Sequence, residues 1–250
     1  MDMTFQEGLA LVAIGGVAGF INVLSAGGSM LTLPLLMFLG LPPQVANGTN
    51  RVSIVLQSVA AVGSFRREGA SHVGLSLRLS VPAVAGSVFG AWLAMQVSDT
   101  LFEAILISAM AVASVAMLLP QPRVDTRPLS SQDLSPALYL AMFGIGVYGG
   151  FLQVGVGILF MAVLYRMLRI DLAQVNVFKV FIILVYMLPA LGLFVYHGHV
   201  RWGYGLLLAV GSMAGAWLAV KVNMGPRGAA WIKWLTVAVI VTIILRLLLG

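Results

Sequence analysis

Apolar residues run through this chain in ten blocks, at about 5–24, 30–41, 48–65, 75–97, 101–119, 137–155, 158–168, 173–196, 203–222 and 229–249. Eight of the blocks have, or nearly have, the length a helix needs to cross a hydrocarbon core about 30 Å thick. The other two, 30–41 and 158–168, would reach only about 18 Å at about 1.5 Å per residue, which predicts half-helices. Each half-helix follows a polar, glycine-rich interruption. The first is Asn22-Val23-Leu24-Ser25-Ala26-Gly27-Gly28-Ser29, the second Gly149-Gly150-Phe151-Leu152-Gln153-Val154-Gly155-Val156-Gly157. Backbone freed from a helix at membrane depth must pair with protein or line a wet cavity. Two matched breaks therefore predict a buried site between them, at the centre of a transport pathway.

The breaks belong to two copies of one pattern. At an offset of 176 − 47 = 129, Asn47, Ile54, Gly63, Phe65, Gly69 and Gly74 meet Asn176, Ile183, Gly192, Phe194, Gly198 and Gly203. After a four-residue gap the offset becomes 215 − 90 = 125, and the pentapeptide GAWLA at 90–94 recurs at 215–219; upstream, Gly19-Phe20 matches Gly150-Phe151. Shared lipid-facing composition would scatter Leu and Val matches, but it would not align glycines, an asparagine and a pentapeptide in order. The stretch QPRVDTRPLSSQDLSP at 121–136 has the prolines, serines and mixed charge of a linker. It separates an N-terminal transmembrane repeat, 1–120, from a C-terminal one, 137–250.

Composition fixes the class. Of 250 residues, 60% are hydrophobic and only 9% charged, with a mean hydropathy of +1.03, beyond what one soluble core requires. The fold class is an all-α polytopic membrane protein. The net charge of +6 is spread over loops and forms no basic stripe with aromatics, so it reads as membrane topology and not as nucleic-acid binding. Arg66, Arg67, Arg123, Arg127, Arg166, Arg169, Lys221 and Arg227 all reach one side if each repeat contributes an odd number of passes or three spans plus a re-entrant hairpin. This favours inverted repeats, a cytoplasmic linker and an N-terminus outside. The acidic N-terminus, MDMTFQEG, lacks the basic start of a signal peptide, so the first block is expected to stay in the protein.

Several motifs have bland readings. Gly86/Gly90 and Gly211/Gly215 form matching small-xxx-small pairs, which let helices approach closely. Gly144-Ile145-Gly146-Val147-Tyr148-Gly149 satisfies GxGxxG but sits inside a span, without the strand that a dinucleotide site needs. His197, His199 and His72 lie in loops without carboxylate or thiolate partners, so no metal site is expected. Cys is absent, which removes thiolate catalysis and sulfur ligation. No Ser/His/Asp order or paired acids occur within the spans, which argues against an enzyme, and no cofactor is called for.

Polar residues inside the spans are more telling. Thr49, Asn50 and Arg51 open one helix; Asn176 and Lys179 open its repeat, with Asn50 aligned to Lys179. A charge at the bilayer centre costs about 2.5 to 3.5 kcal/mol, so such residues usually face an interior path. Two cations near helix N-termini favour a bound anion. The expected site has Arg51 and Lys179 balancing charge, Asn22, Ser25 and Gln153 bonding oxygens, and Gly27, Gly28, Gly155 and Gly157 letting backbone approach the substrate. The competing reading for each cation is snorkelling or pairing with a helix C-terminus.

The stretch GFINVLSAGGSMLTLPLLMFLGLPPQVANGTNRVSIVLQS with its RREG loop resembles the TauE/SafE sulfite-exporter family, and NVFKVFIILVYMLPALGLFVYHGHVRWGYG looks like that family's second-half motif. The second break carries Val154-Gly155-Val156-Gly157 where a glycine-proline-glycine pattern is often seen. The resemblance covers nearly the whole chain and implies transport of sulfite, sulfonates or related organic anions. Carried over residue by residue, it points to Asn22, Gly27, Gly28, Thr49, Asn50, Arg51, Asn176 and Lys179. The expected protein is thus an inner-membrane or plasma-membrane carrier for a small anion, working by alternating access, with the lipid bilayer as its other partner. An anion channel is the near alternative, and a homo-oligomer is compatible with the sequence.

Overall fold

A computed structural model describes residues 3–24, 27–70, 72–118 and 134–223. Among these, every regular element is helical: α1 (Phe5–Leu24), α2 (Ser29–Phe38), α3 (Pro43–Arg67), α4 (Val73–Ala94), α5 (Asp99–Leu118), α6 (Pro136–Phe151), α7 (Val156–Leu168), α8 (Leu172–Tyr196) and α9 (Trp202–Asn223). The tenth apolar block, 229–249, and most of the 121–136 linker lie outside the described residues.

Local chemistry explains the helix ends. Pro43 opens α3 and Pro136 opens α6, at positions where a missing N–H costs nothing. Ser135 and Asp171 cap α6 and α8 through side-chain oxygens that accept from Leu138 N and Gln174 N. Both α3 and α8 stop at a glycine with positive φ, Gly69 at 76° and Gly198 at 73°. After each, the next N–H reaches back five residues, Ala70 N to Phe65 O at 3.0 Å and His199 N to Phe194 O at 2.9 Å. This closure needs a residue free of the Cβ penalty in the left-handed region.

The half-helices are present: α2 has 10 residues and α7 has 13. Among the described residues, five helices are long and apolar enough to cross a membrane: α1, α4, α5, α8 and α9. Two blocks expected among the long ones differ. Helix α6 stops at Phe151 after 16 residues, because the break begins earlier than the apolar run ends. Helix α3 has 25 residues but is too polar to qualify by hydropathy, since its polar positions are covered by other helices. Asn47, Thr49, Asn50, Arg51, Ser53, Gln57 and Ser58 are all buried. Large apolar side chains such as Val81, Val112, Leu140 and Val210 face outward instead. Polar inside and apolar outside is the arrangement of a multi-pass membrane protein.

Packing follows the repeat offsets. The most extensive helix pairs are α1 with α9 and α4 with α6. A Cβ on Gly19 would overlap the Ser212 carbonyl, and one on Gly150 the Ser87 carbonyl. Likewise Gly86 and Gly90 abut the backbone of Phe143 and Val147 on α6, while Gly211 and Gly215 abut Val12 and Gly16 on α1. The small-xxx-small pairs thus serve close backbone approach. Helix α1 from the N-terminal half thus packs on α9 from the C-terminal half, and α6 on α4, with α3 and α8 lying together among these pairs.

Candidate functional site

The two breaks are built differently. At the first, α1 ends at Leu24 and α2 starts after Gly28, whose φ of −60° is ordinary; Gly27 O accepts from Met30 N at 3.0 Å. Ser25 lies outside the described residues. At the second, Gln153 and Gly155 both take left-handed conformations, at φ 66° and 67°, and Gly155 caps α7. The Tyr148 hydroxyl spans this turn to donate to Val154 O.

A helix that stops in a buried place leaves carbonyls without intrahelical partners and the negative end of its dipole unanswered. Here each end is met by a cation from the other half of the sequence. Arg51 of α3 is fully buried; its Nη1 donates to Gly149 O at 3.3 Å and its Nη2 to Gly150 O and, at 3.5 Å, to Phe151 O. Asn47, one turn earlier, donates through Nδ2 to Phe151 O at 2.9 Å. The guanidinium also lies 4.4 Å above the Phe194 ring. Lys179 of α8 does the same for α1: its Nζ donates to Val23 O at 3.0 Å and to Asn176 Oδ1 at 2.8 Å, while Asn176 Nδ2 donates to Leu24 O at 3.4 Å. Asn47 and Asn176 stand at the 129-residue offset, and one device is used twice.

This corrects one expectation. Helices α3 and α8 begin at Pro43 and Leu172, placing Arg51 and Lys179 about two turns inside. Helix-end fields fade within the first turn, so these cations gain little from their own N-termini. They sit instead at the carbonyl ends of α6 and α1.

Between the breaks lies a cavity of about 20 Å³, room for about one water molecule. It is lined by Asn22 and Val23 from the end of α1, Ser29 from the start of α2, Ile54, Gln57 and Ser58 from α3, Gln153, Val156 and Gly157 from the second break and α7, and Val180 and Ile183 from α8. The first residues of both half-helices are in its wall. Among the described lining residues, the polar members are neutral.

Of the expected site residues, Asn22, Gln153 and Gly157 therefore line the cavity. Gly28 backs it: a Cβ there would lie 2.5 Å from Asn22 Cγ. Gly27 shapes the turn into α2. Asn50 faces α2, where its Oδ1 accepts from the Thr32 hydroxyl at 2.7 Å. Thr49 holds the α8–α9 connection, its Oγ1 accepting from Arg201 N at 2.9 Å. Gly155 faces away, toward Ala113 and Met30. Arg51, Asn176 and Lys179 hold helix ends. Sequence reasoning missed Ser29, Gln57 and Ser58 in the lining, and Tyr186, whose hydroxyl donates to Gln153 Oε1 at 2.7 Å. A signal existed for Tyr186: 186 − 57 = 129, the repeat offset, makes it the mate of Gln57.

Comparison with known proteins gives one consistent result. A family model described as "Sulfite exporter TauE/SafE" matches residues 11–247. The chain is 29% identical over 248 residues to "Probable membrane transporter protein ORF9" of a Sinorhizobium species, covering 99% of this chain and 94% of that protein. It is 25% identical over 230 residues to a "Probable membrane transporter protein" of Haemophilus influenzae, covering 90% and 88%. Against "Probable membrane transporter protein YfcA" of Escherichia coli it is 28% identical over 208 residues, covering 82% and 77%.

Proposed function

The chain belongs to the TauE/SafE sulfite exporter family of membrane transporters, and from that premise we propose that it exports a small anion such as sulfite, a sulfonate or a related organic acid. The anion binds in the cavity between the two breaks, and alternating access opens that cavity to one side at a time. The observation that carries this reading is the composition of the cavity wall: two half-helix starts with five neutral polar side chains, Asn22, Ser29, Gln57, Ser58 and Gln153. Half-helix N-termini present free N–H groups and positive dipole ends to an anion. Arg51 and Lys179 stay behind the helix ends, outside the lining, where they hold the carbonyls that close α6 and α1. A cavity with room for about one water belongs to a contracted state, and the tips must part to admit substrate.

The same reading has the two repeats inverted in an inner or plasma membrane, with the N-terminus outside. The similar proteins bear transporter names in place of enzyme names, which supports transport over catalysis. The test is twofold. Thermal-shift titration of the purified protein with sulfite, thiosulfate, sulfonates and carboxylates should find an anion that raises its melting temperature, since a ligand bound only by the folded state stabilises it. Proteoliposomes loaded with that anion should then show saturable counterflow. Flux that never saturates and shows no counterflow would make the protein a channel; no stabilising anion at all would remove the anion reading.

A further inference from the structure

Three polar residues of the cavity wall and one behind it form two matched pairs. Asn22 and Gln153 stand 131 apart, as Gly19-Phe20 and Gly150-Phe151 do, while Gln57 and Tyr186 stand 129 apart, as Asn47 and Asn176 do. Both pairs are bonded. Asn22 Nδ2 donates to Gln57 Oε1 at 3.4 Å, and the Tyr186 hydroxyl donates to Gln153 Oε1 at 2.7 Å. In each repeat, then, a side chain at the break is tied to one on the long central helix. Each pair also nests on a glycine: a Cβ on Gly28 would lie 2.6 Å from Asn22 Oδ1, and one on Gly149 would lie 2.6 Å from the Tyr186 hydroxyl and 3.0 Å from Gln153 Oε1.

The ties share a polarity. Each consumes a carboxamide oxygen, that of Gln57 in one repeat and that of Gln153 in the other, and each leaves that carboxamide's NH₂ group. Both glutamines line the cavity, and neither NH₂ bonds another described residue. A carboxamide is acceptor on one side and donor on the other, so fixing its oxygen fixes what the nitrogen faces. Gln153 adopts a left-handed backbone conformation, which costs a residue with a Cβ roughly 1 to 2 kcal/mol. That strain sits at the position that turns the side chain toward the cavity.

We propose that the cavity recognises its ligand through the two NH₂ groups of Gln57 and Gln153, one from each repeat. It therefore takes an oxyanion that offers acceptor oxygens on two sides, held by neutral donors instead of an ion pair. Tyr186, fully buried and outside the lining, is the positioning residue that keeps the Gln153 oxygen turned away. A ligand held without a direct counter-charge can also be released, as a carrier requires. This inference rests on the anion-transport reading above.

Isosteric exchange isolates the claim. Gln153→Glu can still accept from Tyr186, and Gln57→Glu from Asn22, so each tie survives while the group facing the cavity changes from donor to acceptor. The purified full-length chain is titrated by calorimetry with sulfite and with methanesulfonate, and its melting temperature is recorded without ligand. The unchanged protein should bind at least one of the two anions. Either Glu variant should lose at least about a hundredfold in affinity. Tyr186→Phe keeps the ring and frees the amide to flip; it should lose roughly threefold to tenfold while its unliganded melting temperature stays within a few degrees, a separation that a purely structural tyrosine would not give. Should a Glu variant fail to fold, Tyr186→Phe and Gln57→Leu decide. Anion affinity unchanged in the variants, or a gain of sodium binding in Tyr186→Phe, overturns this inference and leaves the transport reading standing. Failure of the unchanged protein to bind either anion overturns the donor-pair inference, and the wider screen then judges the transport reading separately.

Discussion

Replacing Arg51 by methionine separates two roles that a buried cation can have. In the structure the guanidinium donates to the carbonyls of Gly149, Gly150 and Phe151, all at the end of α6, and stands over Phe194. Methionine fills much of the same space but supplies no donor. Asn47 still serves Phe151 O, so the carbonyls of Gly149 and Gly150 lose the side-chain donor they had. Hydrogen bonds to a charged group contribute about 1.5 to 3 kcal/mol each. Removing the buried charge returns part of this by relieving its desolvation. A net loss of about 2 to 4 kcal/mol follows, and at roughly 2 to 4 °C per kcal/mol for a chain of this size the melting temperature should fall by about 5 to 15 °C. Because Arg51 is not in the cavity wall, the affinity of the folded protein for sulfite should change by less than about threefold. A melting curve in detergent and an anion titration below the transition measure the two quantities on one preparation. An intact melting temperature with affinity reduced thirtyfold or more would refute the reasoning and put the cation on the substrate.

Lys179→Met should behave alike at the end of α1, with melting lowered by about 5 to 15 °C and affinity little changed, since Lys179 bonds Val23 O and Asn176 and is absent from the lining. Gly150→Ala should cut the yield of folded protein sharply, because its Cβ would overlap the Ser87 carbonyl across the α4–α6 contact; Gly63→Ala, with nothing within 4 Å, should be neutral or raise stability by up to about 1 kcal/mol, as size-exclusion profiles and melting will show. With no native cysteine, topology is open to labelling: an impermeant maleimide on intact cells should modify His197→Cys and spare Glu68→Cys, and the reverse pattern would turn the proposed orientation over.

The sequence announced the breaks because glycine and polar residues interrupt apolar runs, and interruption is a one-dimensional property. It also favoured an interior place for Arg51 and Lys179, since charge at the bilayer centre is costly, with snorkelling as the competing reading. What it could not announce was their partners. Backbone carbonyls have no letter in the sequence, so a cation that answers a helix end looks the same as one that awaits an anion. The start of α3 was obscured for a related reason: the apolar block begins only at 48, so Thr49, Asn50 and Arg51 were read as opening the helix, although Pro43 opens it and folded neighbours cover the polar side chains that follow. Gln57 was hidden among the many polar residues of α3, and Tyr186 by its apolar helix, where one polar group is usually a satisfied core residue. Only the bonded pairs, set at the repeat offsets, give them a reason to be there.

The glycine contacts between α1 and α9, and between α4 and α6, bring backbone against backbone, and these are the most extensive joints among the described helices. Each joint unites a helix from one half of the sequence with a helix from the other. The halves of the gene are therefore not the levers of the machine. A rocking motion that pulled residues 1–120 away from residues 137–250 would have to tear both joints, whereas one that swings the α1–α9 pair against the α4–α6 pair leaves both intact and concentrates the displacement where those bodies meet, at α3, α8 and the two broken tips.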